Sequence, residues 1–217
     1  MGVKVKICCI KDAAEAGLAY RYGAAAIGLV SAMPSGPGVI TESEIARILA
    51  TAPPIATFLL TSYRDAAAII AQQRRCPVTT LQLCDTLPAD DYDRLHDALP
   101  DVKIVQVIHV TGRSAIDHAG RLAPLVDGLL LDSGNPDLAV KELGGTGRTH
   151  NWDLSREICS TVAIPVYLAG GLNPTNVAMA IRSVRPWGVD VCTGIRTADC
   201  LDESKLAAFM QAVAEAG

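Results

Sequence analysis

VKVKICCI (3–10), DAAEAGLAYRY (12–22) and AAIGLVS (25–31) follow one another near the N-terminus. The outer pieces are short apolar or β-branched runs of the length of buried strands, and the middle piece spaces its apolar residues as a helix does. Strand, helix and strand in so few residues make a βα unit whose second strand lies parallel to the first. The same alternation persists to the far end of the chain. Further strands are expected at 54–61, 79–84, 103–110, 128–133, 165–171 and 188–194, and further helices at 41–50, 64–74, 88–98, 113–122, 152–160, 174–184 and 202–215. Thr41 with Glu44 three positions later has capping-box spacing, and Asn173-Pro174 puts proline where a helix is expected to begin. Eight consecutive βα units without a Gly/Ser-rich linker predict one domain, 1–217, folded as a closed (β/α)8 TIM barrel rather than an open doubly wound sheet.

Composition narrows the function. The chain has 217 residues, 50% of them hydrophobic but only 4% aromatic, so Ala, Val, Leu and Ile must fill the interior, as suits strands buried on both faces. A formal net charge of −4 with scattered lysines and arginines argues against a nucleic-acid partner. No apolar run is long enough to span a bilayer, and MGVKVKICCI lacks the layout of a secretory signal, so a cytoplasmic protein without a membrane partner is expected. Seven cysteines is an odd number, and reduced thiols are the simpler expectation in such a compartment. The adjacent pair Cys8-Cys9 has no zinc spacing, and no metal site is expected.

Strand alternation tells which side chains line the barrel. If Cys8 points inward, so do Lys6 and Lys4, while Val3, Val5 and Ile7 face the helices. The same rule points Gln82 and Cys84, Gln106, Leu130 and Asp132, and Asp190 and Cys192 inward. A buried ammonium requires a partner. Barrel closure makes the first and last strands neighbours, so Lys6 and Asp190 are the expected pair, either stabilising the interior or serving the site.

Chemistry in such barrels sits at the C-terminal ends of the strands. There KICCI resembles the KICGI signature of phosphoribosylanthranilate isomerases. The resemblance continues in order through AAAIGLV, LQL, LLLDS, GGTG, NWDLS, LAGGLNPTNV, RPWGVDV and TGI, over nearly the whole chain. It implies an Amadori rearrangement of a small phosphosugar in tryptophan biosynthesis, by a monomer or homodimer, with no cofactor. It also implies Cys8 as the base and Asp132 as the acid. A thiol base requires a lowered pKa, for which nearby Lys6 or a helix N-terminus is the expected cause, and an acid requires a raised one, which burial supplies. Gly170 and Gly171 after strand seven, with Thr193 and Gly194 after strand eight, fit the phosphate site of this fold, although glycines there also suit a tight turn. Lys6, Gln82, Gly145 and Asp190 are the further substrate-binding candidates, Gly145 lying in a GGTG loop that resembles the family's mobile loop. Trp152 is expected to pack its helix.

Several positions depart from the family's pattern. The segment Ser35-Gly36-Pro37-Gly38-Val39-Ile40 carries Gly38 where the resemblance implies an arginine for the anthranilate carboxylate. QLHG reads Gln82-Leu83-Cys84-Asp85, Gln106 stands for a strand-five lysine, Ser31 for an aromatic residue, and Cys9 for the glycine of KICG. The final SSG-V-E reads Cys192-Thr193-Gly194-Ile195-Arg196. These changes fall on the aglycone side, where Arg196 or Arg148 is a candidate replacement cation. They leave open a paralogue acting on another aminosugar phosphate or a non-catalytic phosphosugar-binding barrel; an aldolase or decarboxylase would require a strand-end lysine or a paired Asp-Lys constellation, and Lys6 sits one inward layer too deep for that. Clustered Cys8, Cys9, Cys84 and Cys192 also leave a redox role open.

Overall fold

The computed structural model describes residues 2–135, 138, 141–143, 147 and 149–216. Its strands are β1 (Lys4–Ile7), β2 (Ala26–Val30), β3 (Ala56–Thr61), β4 (Thr80–Leu83), β5 (Lys103–His109), β6 (Gly128–Asp132), β7 (Val166–Leu168) and β8 (Gly188–Val191). They pair in parallel in sequence order and close through β1 on β8, so the expected TIM barrel is the one observed. The helices are α1 (Ala13–Arg21), α2 (Glu42–Thr51), α3 (Ala66–Arg75), α4 (Ala89–Ala98), α5 (Ser114–Leu122), α6 (Trp152–Thr161), α7 (Val177–Val184) and α8 (Glu203–Ala214). Between β8 and α8 lies a small hairpin absent from the sequence reading, β9 (Arg196–Thr197) and β10 (Cys200–Leu201). No helix among the described residues is long and apolar enough to cross a membrane.

Local chemistry fixes the helix starts. Thr41 and Glu44 form the expected reciprocal capping box on α2, and Asp12, Asp65 and Asp202 each accept a first-turn N–H of α1, α3 and α8. The expectation at Asn173-Pro174 is corrected: α7 begins at Val177. Asn173 Oδ1 instead accepts from Thr175 N at 2.9 Å, while Asn176 Oδ1 accepts from Asn173 N at 2.9 Å, so this segment is a side-chain-tied turn before the helix.

Apolar packing divides into two layers. Ile7, Ile27, Leu29, Leu59, Leu81, Leu129 and Val189 join the large core between barrel and helices, whereas Phe58, Leu60, Val105, Val107, Leu130 and Tyr167 fill the lumen. Phe58 and Tyr167 meet edge to face with centroids 5.8 Å apart. Val5 and Ile7 face the helices as alternation requires, and Lys4 lies exposed at the start of β1. Gln106 does not follow the reading. Its neighbours Val105 and Val107 are luminal, so Gln106 faces α4, where Oε1 accepts from Tyr92 Oη at 2.8 Å and Nε2 donates to Leu83 O at 3.0 Å. The register agrees: Gln82 pairs with Val105 and Leu83 with Gln106, and laterally paired residues share a face.

Candidate active site

The C-terminal ends of the strands open onto a cavity of about 680 Å³. Cys8, Gln82, Asp132, Gly170, Gly171, Asp190 and Thr193 all line it, so seven residues from five strands and their loops meet in one space. Lys6 lies beneath, fully buried, with Nζ 2.8 Å from Asp190 Oδ1 and 5.2 Å from the Phe58 ring centroid. That is the pair expected from closure, and the register sets Lys6 opposite Asp190. Gly145 and Arg148 lie outside the described residues.

Cys8 follows directly on β1 and is held there by its N–H donating to Val191 O at 2.8 Å. Gly28 of β2 makes room for its sulfur: a Cβ at that position would stand 2.7 Å from Cys8 Sγ. The expectation of a lowered thiol pKa is not met. Burial, and after it the charge of Asp190, push the Cys8 thiol up to about 11 against the pull of Lys6. Burial opposes the Lys6 charge, yet Asp190 and Cys8 together hold its pKa above the ordinary lysine value. Asp132 ends β6 and is buried, with Oδ1 accepting from Ser133 N at 2.7 Å. Burial outweighs that hydrogen bond and raises its pKa, the direction an acid requires.

Gly170 and Gly171 adopt φ of +79° and +63°, the left-handed region that favours glycine. Asn176 Nδ2 donates to Gly171 O at 3.0 Å and so fixes the loop, while the N–H groups of Gly170 and Gly171 meet no protein acceptor among the described residues. Thr193 begins a 3₁₀ turn, Thr193–Ile195. Gly194 follows Thr193 but is not itself among the lining residues, and a Cβ there would collide with Leu172 O. Its role is to let the two loops touch. Beneath them His150, unremarked in the sequence, is held neutral by burial at a pKa of about 4 and donates to or accepts from Ser155 Oγ at 2.7 Å.

The expectation of reduced thiols is also corrected. Cys9 and Cys192 form a disulfide with Cα atoms 5.8 Å apart, both lining the cavity. Cys8, Cys76, Cys84, Cys159 and Cys200 are free. Cys9 has φ of +62°, and this left-handed turn sends its side chain into the lumen alongside that of Cys8. Gly38 packs against it so closely that a Cβ there would lie 2.4 Å from Cys9 Cβ. Arg196 is not the replacement cation, because its guanidinium is buried against Glu15 at 2.8 Å and donates to Cys9 O. The cavity lining carries no lysine, arginine or histidine among the described residues. Lys141 stands at the rim: its carbonyl accepts from Ser35 Oγ at 2.6 Å, and its ammonium pairs with Asp85 at 2.5 Å.

The chain is 36% identical to N-(5'-phosphoribosyl)anthranilate isomerase 2 of Methanosarcina mazei, covering 96% of this chain and 92% of that protein. It is 35% identical, with the same coverage, to N-(5'-phosphoribosyl)anthranilate isomerase of Haloferax volcanii. The solved phosphoribosyl anthranilate isomerase of Thermococcus kodakaraensis superposes with a TM-score of 0.77 at 26% identity, covering 97% of this chain and 98% of that one. The family described as N-(5'phosphoribosyl)anthranilate (PRA) isomerase matches residues 5–212, and the chain belongs to that family.

Proposed function

We propose that this chain converts N-(5'-phosphoribosyl)anthranilate to 1-(o-carboxyphenylamino)-1-deoxyribulose 5-phosphate, an aldose–ketose isomerisation of tryptophan biosynthesis, with Cys8 as base and Asp132 as acid. One observation carries the reading: in a chain of this family, a thiol, a raised-pKa carboxyl and two glycine-bearing loops face a single cavity. Protonated Asp132 gives its proton to the furanose oxygen as the C1–O bond breaks, leaving a Schiff base at C1. Cys8, as thiolate, then takes the C2 proton. The resulting enolamine gains a proton at C1 and loses one from O2 to become the ketose, and the proton on Cys8 passes back to Asp132, restoring both groups. Free N–H groups of Gly170 and Gly171, with Thr193, receive the phosphate. Lys6 and Asp190 hold the floor under Cys8, and Gln82, whose buried Oε1 has no partner among the described residues, faces the sugar hydroxyls.

On the aglycone side, Gly38 takes the place of the arginine implied by the resemblance, and Lys141 is the cation we assign to the anthranilate carboxylate. Its backbone carbonyl accepts from Ser35 of the lining, so the residue stands beside the mouth, and the substrate carboxylate would take its ammonium over from Asp85. The experiment is steady-state turnover of phosphoribosylanthranilate by wild type, Cys8→Ala and Asp132→Asn, with inorganic phosphate binding measured alongside. Either substitution should lower kcat at least 10²-fold, the lower bound for losing a general acid or base, while phosphate affinity stays within about twofold. Wild type that binds phosphate but does not turn over the substrate would make the chain a binding barrel and refute the reading.

A further inference from the structure

The Cys9–Cys192 disulfide lies where the barrel's own hydrogen bonds stop. The β1–β8 ladder reaches Ile7 and Val191, and its last link is Cys8 N to Val191 O at 2.8 Å. Beyond that point the two strands run on into separate loops, one starting from the proposed base and the other carrying Thr193 of the proposed phosphate cradle. The bridge is the next tie between them, one residue past Cys8 and one residue before Thr193. It also gathers a third loop, because Gly38, the residue after Pro37 of the lining, packs directly on Cys9. Arg196, anchored by Glu15, holds the Cys9 carbonyl from the outside. An L-residue in the left-handed region persists where its surroundings over-determine it, and at Cys9 the bridge and this carbonyl contact do so.

We propose that the bridge is a positioning device for the isomerase reaction: it holds the phosphate cradle at a fixed reach from Cys8, so that affinity for the phosphosugar follows the redox state of Cys9 and Cys192. The proposal rests on the isomerase reading for its substrate. A dithiol is the reductant: its thiolate attacks one bridge sulfur, its second thiol closes on the first, and two electrons and two protons pass to Cys9 and Cys192 as the donor becomes a cyclic disulfide. Once cleaved, the loop from Cys192 onward must lose freedom on binding that the bridge had already removed. The base stays on its ladder hydrogen bond, so KM changes more than kcat.

The test compares the air-oxidised full chain with the same protein reduced by dithiothreitol, the bridge being scored by intact mass and thiol titration in a Cys200→Ser background that blocks cross-linking through the exposed thiol. Reduction should raise KM for phosphoribosylanthranilate, and the dissociation constant of inorganic phosphate, roughly tenfold, equivalent to one residue's backbone freedom, with kcat within about threefold. Cys192→Ala, and separately Cys9→Gly, which suits the left-handed backbone, should show the weakened constants with and without reductant. A bridge that only stabilised the fold would shift Tm and leave both constants alone, and that result overturns the proposal. So does finding both thiols free in the oxidised protein. If no form turns over the substrate, the isomerase reading fails, while phosphate affinity still reports whether the bridge sets the cradle.

Discussion

Gly28→Ala is the sharpest probe of how Cys8, the proposed base, is seated. The added Cβ would stand 2.7 Å from Cys8 Sγ, 3.1 Å from Lys6 Nζ and 3.2 Å from Cys8 Cα. Ordinary carbon contacts lie at about 3.5–4.0 Å, so the sulfur must retreat by roughly 1 Å. Lys6 has little room to yield, being held at 2.8 Å by Asp190 and fully buried. Overpacking of this kind costs about 1–3 kcal/mol of stability. Misplacing a reacting group by about 1 Å lowers the rate roughly 10²-fold, which is about 2.7 kcal/mol on the barrier. The assays are urea denaturation and steady-state turnover, with Gly120→Ala as the control: nothing lies within 4 Å of its added methyl on α5. That control should gain about 0.5–1 kcal/mol, as alanine does over glycine inside a helix, at unchanged rate. Gly28→Ala with kcat within threefold of wild type would refute the placement of Cys8 as base.

Three further outcomes follow from the same geometry. Gln106→Leu should cost about 1–3 kcal/mol, because the buried Tyr92 hydroxyl loses its acceptor, yet leave turnover unchanged, because Gln106 faces α4; a rate defect without a stability defect would put it back in the lumen. For the free enzyme, kcat/KM should rise with pH below the raised pKa of Asp132, run flat up to about 11 as protonated Asp132 falls tenfold per unit while Cys8 thiolate rises tenfold, and decline above; a descending limb near neutrality in the profile would contradict it. Glu15 is half-buried, and although burial opposes its charge, the hydrogen bonds from Arg196 and Leu201 hold its pKa below the ordinary value. Its stabilisation is therefore present above the usual carboxylate range and lost as pH falls through its lowered pKa, so acid denaturation midpoints of wild type and Arg196→Met should differ, the variant unfolding at higher pH.

The barrel was legible because eight βα units leave few alternatives, and Lys6 with Asp190 was legible because closure fixes which strands meet. Gln106 was not, and the reason is physical. The run KIVQVIHV is apolar on both faces, as a parallel strand between lumen and helices must be, so alternation alone has no phase there; only the lateral pairing of Gln82 with Val105 supplies it. The bridge was hidden by the same rule. Alternation sends Cys8 inward and Cys9 outward, and only the left-handed backbone at Cys9 brings both into the lumen. A cysteine standing where the resemblance implies the glycine of KICG was the available signal, since glycine is the residue that takes a positive φ most readily. Pro174 misled because a helix start and a side-chain-tied turn share the same Asn-Pro signature, and the contacts of Asn173 and Asn176 decide between them.

For Cys8 as the proposed base, a raised pKa looks ill-suited to the task until the charges are counted through the proposed reaction. In the free site Lys6 is already paired with Asp190, so a Cys8 thiolate would add a second anion to one ammonium in a buried place, and burial together with Asp190 keeps the proton on sulfur. Ring opening changes the balance. Protonation by Asp132 produces a cationic Schiff base at C1, next to the carbon whose proton Cys8 must take, and that cation both acidifies C2 and offers the thiolate the counter-charge that the protein withholds. The thiolate, formed as the Cys8 proton passes to Asp132, is thus stabilised chiefly in the step where it reacts, which is where stabilisation raises the rate, and between turnovers the protonated thiol resists oxidation and exchange with the neighbouring Cys9–Cys192 bridge.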